Sequence, residues 1–540
     1  MNIDDAILIN VFRTRLYLPL VLILLIYVFN GKFRNELSYI TSKMIPKNAW
    51  MQGGSLFVIS LIAAILVCYA GKSWGGDYSQ YFAQARAIMN RDVENWYSVN
   101  NFIIDTSAEG IGSDVYPWIW PLCLIPVIRI FGFNIAALKV YEALFFAMAI
   151  LMFYNLAKNR MNTKHAYVLS LFVAFNLNLL MDVNTIESDI PNLFAVLLAI
   201  NIFDIFRDKI VNGNKIYQTV AYAVLLGLMF FISAEMRTMS KALVVAYILW
   251  IIAGMISDIW NKKHKYKFFA VKLIPICTYF VSYKIFHMFL PTSGGTYNDY
   301  FVFAIARFRS NLLAYLHVYV SILGNETRPI IAIICSAATI ILLLLALVGM
   351  ITKILDEFYN VMFVVVTMGM LLFYDYVADR FAYTSYVLLL IFAYEGAVYL
   401  YNVMRRQNTV SLIKFTKSAI KTFGLAAAIM MLVSYIVVAY NVRTNKYNLN
   451  DANSDYAMEV YDYIKTNLNE KDVVYFFKPR VLNFNTGVLS YTWYNQNGHL
   501  QDADYFLDCI DDGYDEVTKE AMDKGGKVVF ENDRFRLYEL

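Results

Sequence analysis

Apolar runs of roughly 16 to 22 residues recur along most of this 540-residue chain, close to the roughly 20 that an α-helix needs to cross a hydrocarbon core. In lipid a backbone has to satisfy its own polar groups, so such runs fold as helices packed against one another. With 59% hydrophobic and only 16% charged residues, the chain has too little polar surface for a soluble protein of its length. The pattern predicts an all-α polytopic membrane protein of about twelve transmembrane helices. The expected spans are 15–30, 54–71, 137–157, 166–182, 190–206, 218–233, 243–258, 269–290, 329–350, 358–374, 383–403 and 422–440.

Basic residues orient these spans. Lys32, Arg34, Lys43 and Lys47, then Lys158, Arg160 and Lys164, then Lys262, Lys263, Lys265 and Lys267, and later Arg405, Arg406, Lys414, Lys417 and Lys421 fall in alternate loops. About twenty Lys/Arg on that side face about nine on the other, the positive-inside asymmetry. Arg13 and Arg15 run against this alternation, so the topology of the N-terminus stays open. The five cysteines and five histidines are scattered without metal-ligand spacing. Net charge is +4, yet residues 441–540 hold 18 acidic against 11 basic residues. Nothing in this distribution points to nucleic acid.

The chain therefore divides into three parts. Residues 1–53 form an N-terminal helix and a cytosolic loop, residues 54–440 the transmembrane core, and residues 441–540 a small α/β domain of soluble composition on the outer side. Two outer loops interrupt the core. The first, 72–136, is long enough to carry structure of its own. It holds an amphipathic stretch from Tyr78 to Met89 and a second apolar segment opened by Tyr116-Pro117-Trp118-Ile119-Trp120-Pro121. Both suit interfacial helices, the second because three prolines and Arg129 disfavour a spanning helix. The second outer loop, 291–328, begins with Pro291-Thr292-Ser293-Gly294-Gly295 and carries Arg307 and Arg309, an arrangement suited to a mobile lid. In the tail, Ser454–Asn467 and Asp515–Lys524 read as helices, Asp472–Phe477 as a strand, and Lys527–Phe530 with Phe535–Tyr538 as a hairpin.

The chemistry-bearing residues gather at the outer ends of spans. Asp77 follows a core helix through Gly71-Lys72-Ser73-Trp74-Gly75-Gly76, where a carboxylate meets water on one side and lipid on the other. It is a candidate general base, against an alternative role as a helix cap. Glu187 and Asp189 stand just before Pro191, placed to position an acceptor or a metal, or with Asp189 capping the helix that Pro191 begins. Arg380, Arg237, Lys241, Arg307 and Arg309 are candidate phosphate ligands, each with the alternative of reaching toward lipid headgroups. Arg380, beside Asp379, leads them, and a planar guanidinium grips two phosphate oxygens at once, as lysine cannot. Tyr78, Tyr81 and Tyr116 are the aromatics placed in sequence to contact a substrate. The acids are compatible with a divalent cation or with none.

The order of these features resembles the C-type superfamily of integral membrane glycosyltransferases that use polyprenyl-phosphate-linked sugars. The protein O-mannosyltransferases and the lipid A aminoarabinose transferases belong to it. The resemblance rests on Asp77 and the aromatic, Tyr-Pro-containing loop after it, then Phe131-Gly132 leading into a span, Glu187-Ser188-Asp189-Ile190-Pro191, Asp379-Arg380-Phe381-Ala382-Tyr383, and Lys478-Pro479-Arg480 after the strand. It covers most of residues 54–490. Well-known members carry an Asp-Glu pair where this chain has Asp77-Tyr78, so only Asp77 carries over.

The resemblance implies an inverting transfer of a sugar from a polyprenyl-phosphate donor to an acceptor hydroxyl on an envelope glycan, glycolipid or protein. The reaction would take place at the outer face of a bacterial cytoplasmic membrane. Two other classes stand beside it. A transporter or flippase for a lipid-linked or envelope precursor would place charges near mid-bilayer and show an inverted repeat. A glycan polymerase or ligase would need more basic outer loops.

Overall fold

The computed structural model describes residues 43–540, apart from 44, 76, 108–111, 212–214, 261–268, 293–299, 325–328, 407–424, 426–427, 430, 445–450, 494–499, 501 and 511–514. The expected span 15–30, the basic loops around Lys32 and Lys262, and the segment Lys414–Lys421 fall outside the described residues.

Among the described residues, eight helices are long and apolar enough to cross a membrane. They are Ala49–Leu66, Ile135–Lys158, Asp189–Val211, Ile216–Met236, Thr238–Trp260, Phe269–Phe286, Ser336–Lys353 within the longer helix Pro329–Lys353, and Asp379–Arg406. Shorter apolar helices run over Ile119–Phe131, Phe358–Phe373 and Met431–Arg443. The chain is an integral membrane protein.

One expected span is divided. Residues 166–182 form two short helices, Thr163–Ala174 and Leu177–Asp182, because Asn176 stops the first and caps the second, its side chain accepting from the Leu179 amide at 3.2 Å. The Asn176 amide nitrogen donates to the Ile322 carbonyl at 2.7 Å, so the break is tied to a neighbouring element.

The loop 291–328 also differs from its expectation. Much of it, Ile305–Gly324, is a helix. Asn311, Tyr315, Val318, Tyr319 and Ile322 are all buried, at a spacing of three to four residues that makes one continuous face. Asn311 donates to the carbonyls of Leu371 and Tyr374 at 3.2 and 2.6 Å, and the Tyr319 hydroxyl lies 2.8 Å from Ser385 Oγ. This face packs into the bundle, where a lid would stand clear of it.

Glycine sets a close helix crossing. A Cβ at Gly349 would lie 1.9 Å from the Phe392 carbonyl oxygen, and one at Gly396 would lie 2.0 Å from that of Leu345. The helices Pro329–Lys353 and Tyr383–Arg406 thus touch backbone to backbone, the use of small residues common between helices in lipid.

The C-terminal region builds a five-stranded sheet. With β1 Val473–Tyr475, β2 Leu489–Tyr491, β3 Tyr505–Cys509, β4 Lys527–Glu531 and β5 Phe535–Glu539, its order is β2-β1-β3-β5-β4. β1 pairs in parallel with β2 and β3, while β5 is antiparallel to β3 and β4. The β4–β5 hairpin, the strand at β1 and the helices Asp455–Asn467 and Asp515–Asp523 agree with the sequence expectation.

This domain is docked on the loop 72–136. Asp451 Oδ1 accepts from the Lys72 amide at 2.7 Å, and the Ala452 amide donates back to the Lys72 carbonyl at 2.9 Å. Gly71 has φ +79°, and a Cβ there would lie 1.6 Å from Asp451 Oδ2, so the approach requires glycine. The helix Pro479–Thr486 packs on the helix Asp77–Asn90, most of whose residues from Tyr78 to Ala87 are buried.

Candidate active site

Three chain segments far apart in sequence meet at the start of the helix Asp77–Asn90. Asp77 is its first residue, where a carboxylate is favoured by the exposed amides of a helix N-terminus. Its Oδ1 accepts from the Tyr116 hydroxyl at 2.8 Å and its Oδ2 from Arg380 Nη2 at 2.7 Å. Arg380 sits in the short 3-10 turn Asp379–Ala382 that leads into the next long helix. Its Nη1 donates to Glu187 Oε2, and its Nε lies 3.9 Å from Asp189 Oδ2. One guanidinium thereby addresses three carboxylates.

Arg237 completes the cluster from the C-terminus of the helix Ile216–Met236. Its Nη1 donates to Asp189 Oδ2 at 2.7 Å and to Ser188 Oγ at 3.2 Å. The Ser188 hydroxyl also lies 2.8 Å from that of Tyr81. The Phe381 ring lies 4.7 Å from the Arg237 guanidinium carbon and 5.8 Å from that of Arg380, a shared cation–π platform.

The backbone aims the two acids. Ile186 has φ +53°, a conformation that a β-branched residue avoids, and it stands directly before Glu187. Asn184 anchors the same turn, accepting from the Tyr69 amide at 3.1 Å and donating to the Val67 carbonyl at 3.2 Å. The loop carrying Glu187 is thus fastened to the chain that leads to Asp77.

Beside Arg380 opens a cavity of about 340 Å³, lined by Asn178, Met181, Asp182, Asp379, Arg380 and Tyr383 among others. Asp182 accepts from the Tyr383 hydroxyl at 2.7 Å, and Asp379 from Ser321 Oγ at 2.8 Å. The lining combines carboxylates, an amide, a phenol and a guanidinium, groups that bind hydroxyls and phosphate oxygens.

Electrostatics define the resting state of Asp77. Burial pushes its carboxyl up, but the Arg380 charge, the Tyr116 hydrogen bond and Arg237 outweigh this and hold it below the ordinary carboxylate value. About 31% of its side chain stays accessible. Lys72 is buried with its Nζ 4.4 Å from the Tyr78 ring centroid, and burial pushes its ammonium down to about 8 against the pull of Asp77, Glu142 and Asp451.

Of the residues singled out from the sequence, Asp77, Glu187, Asp189, Arg380, Arg237, Tyr81 and Tyr116 converge here. Tyr78 points elsewhere, edge-on to Phe82 and under Lys72. Lys241, half-buried at the end of the turn Thr238–Lys241, makes no ion pair with the three acids. Arg307 pairs with Asp375, and Arg309 lies exposed on the helix Ile305–Gly324.

Asn178 and Asp182 also belong to the neighbourhood and are not among the residues singled out from the sequence, while Ser188, Tyr383 and Arg480 stand in the motifs that carry the resemblance without a role of their own. Asp182 closes an apolar run and was absorbed into an expected span. Among the described residues no group of three or more His, Cys, Asp or Glu side chains is arranged to hold a metal ion.

No protein-family model matches the sequence, and no curated protein does. Solved structures do resemble it. ArnT from Cupriavidus metallidurans in the apo state superposes with a TM-score of 0.55 at 9% identity, over 91% of this chain and 98% of ArnT. The same protein bound to undecaprenyl phosphate gives 0.51 at 10% identity, over the same shares. The archaeal oligosaccharyltransferase AglB from Archaeoglobus fulgidus, in complex with an inhibitory peptide and a dolichol-phosphate, gives 0.50 at 12% identity over 85% of this chain and 69% of AglB. Both neighbours are members of the C-type superfamily, and the chain has their fold.

Proposed function

We propose that the chain is an inverting glycosyltransferase that moves a sugar from a polyprenyl-phosphate carrier to an acceptor hydroxyl at the outer face of a bacterial cytoplasmic membrane. The observation that carries this reading is the single guanidinium of Arg380, hydrogen-bonded to Asp77 and edging a cavity lined by hydroxyl-binding groups. The likeness of fold to ArnT, whose structure binds undecaprenyl phosphate, supports a polyprenyl-phosphate donor.

The donor phosphate seats at Arg380 and Arg237, with the sugar ring in the cavity beside them. In the resting state Arg380 is shared among carboxylates, so an arriving phosphate competes with Asp77 for it. Losing that partner raises the proton affinity of Asp77 and turns a weak base into a competent one. The acceptor oxygen then attacks the anomeric carbon from the face opposite the phosphate. Its proton passes to Asp77, the bond from the anomeric carbon to the phosphate oxygen breaks, and polyprenyl phosphate leaves with the electron pair. The guanidiniums stabilise the charge on the departing phosphate. Glu187 and Asp189 hold the two arginines in place and orient the acceptor.

The test is turnover by purified protein in lipid with radiolabelled undecaprenyl-phosphate sugars, wild type beside Asp77→Asn. Sugar transfer that vanishes in the variant supports the reading. No reaction with any donor, together with substrate flux in sealed vesicles, replaces it with transport.

A further inference from the structure

Arg480 belongs to the C-terminal domain, on the helix Pro479–Thr486, and is 6% exposed. Its Nη1 donates to the Tyr116 hydroxyl at 3.3 Å, its Nη2 to the Ser113 carbonyl at 2.8 Å and its Nε to Asn100 Oδ1 at 3.2 Å. Tyr116 in turn donates to Asp77 Oδ1 at 2.8 Å. A guanidinium has donors and no acceptor, so the Tyr116 oxygen must accept from Arg480. Its one phenolic proton is then directed at Asp77.

The contact between the arginine and the phenol is built in. Gly112 has φ +107°, and a Cβ there would lie 2.7 Å from the Tyr116 hydroxyl and 3.1 Å from Arg480 Nη1. Any side chain at this position would press on both partners.

We propose that Arg480 is a positioning residue that acts through Tyr116, so that the C-terminal domain fixes the orientation and proton affinity of Asp77. This rests on the reading of Asp77 as the base. With Tyr116 locked as a donor to Oδ1, the carboxylate presents Oδ2 to Arg380 and, once phosphate has taken Arg380, to the acceptor hydroxyl. Other groups also face Asp77: Arg380, Arg237, Lys72 and Lys478 as cations, Asp189 as an anion, and Tyr81 and Tyr374 as phenols. Glu187 faces it across the shared Arg380. None of them is changed by the variants below, so the contribution of the relay is isolated.

Removing a donor from a carboxylate raises the pH at which it takes up a proton. The readout is the infrared titration of full-length protein in lipid, following the carboxylate band that Asp77→Asn removes. Arg480→Gln and Tyr116→Phe should each move the midpoint upward by about one pH unit, the size of one hydrogen bond to a carboxylate. The double variant should move it no further, because both act on one relay. Gly112→Ala keeps every charge and separates the partners, so it should shift the midpoint the same way and serves if Arg480→Gln fails to fold. Asn485→Ala, on the same helix but bonded only to the Val481 carbonyl at 2.9 Å, should leave it in place.

The acid limb of kcat/KM should follow the infrared shift, with KM for the donor unchanged. An unmoved midpoint in Arg480→Gln, or additive shifts in the double variant, overturns the relay. An infrared shift without transfer from any donor instead overturns the glycosyltransferase reading and leaves the relay standing.

Discussion

Replacing Arg380 by glutamine should expose how strongly the resting cluster depends on one guanidinium. Arg380 bonds Asp77 at 2.7 Å and Glu187, and stands 3.9 Å from Asp189, whose side chains are 31%, 6% and 3% exposed. Asp189 keeps Arg237, and Asp77 keeps Tyr116 and some contact with water, so their losses are partial. Glu187 loses its ion-pair partner while almost fully buried. Breaking a buried pair from one side costs about 3–5 kcal/mol, and Glu187 supplies most of it here.

Removing the stranded carboxylate should recover much of that loss. In a double-mutant cycle, Arg380→Gln with Glu187→Gln should be less destabilised than the sum of the singles, by a coupling of about 1–3 kcal/mol. The assay is reversible unfolding of the purified protein in mixed micelles, run at pH 7 and pH 5. At the lower pH the penalty of Arg380→Gln should shrink, because the freed carboxyls take up protons more readily there. Additive single-variant effects at both pH values would refute the argument that Arg380 and Glu187 form one energetic unit.

Three further outcomes are expected. Asp77→Asn should retain expression, membrane insertion and binding of bare undecaprenyl phosphate while losing sugar transfer; preserved turnover would remove Asp77 from the role of base. Lys72 has its folded-state pKa pushed down to about 8, so between pH 8 and about 10.4 the unfolded chain binds more protons and stability should rise with pH, by up to roughly 3 kcal/mol. Lys72→Met should flatten that rise, and an unchanged slope would show that Lys72 is not its source. Gly396→Val should cost at least about 1–3 kcal/mol by forcing two helices apart, whereas Gly369→Ala, with nothing within 4 Å of the added Cβ, should be neutral or slightly stabilising in thermal unfolding.

The sequence by itself determined the helical membrane architecture, the placement of Asp77 beyond the end of an apolar helix and the β4–β5 hairpin. These are local properties. A 20-residue apolar run, a carboxylate at its end and a polar turn between two alternating strands are all legible within one element, because burial along a single helix or strand follows its own period.

Tertiary structure alone decided which charged ends meet. Asp77 and Arg380 are 303 residues apart, and nothing in the periodicity of either segment selects Arg380 over Arg307, which is spent on Asp375. Only the packing of the helix Ile305–Gly324 against its neighbours turns Arg307 away, and the same packing turns an expected lid into part of the bundle. Arg480, which the sequence shows only as the last residue of the Lys478-Pro479-Arg480 stretch, is buried against Tyr116 because the C-terminal domain docks at Gly71 and Asp451. The break at Asn176 belongs to both accounts. A capping residue in an apolar run is visible in the sequence, but the carbonyl of Ile322 that accepts its side-chain amide hydrogen bond comes from 146 residues away. Electrostatic partners are chosen by proximity in space, and a chain of helices fixes that proximity through side-to-side packing that no single segment encodes.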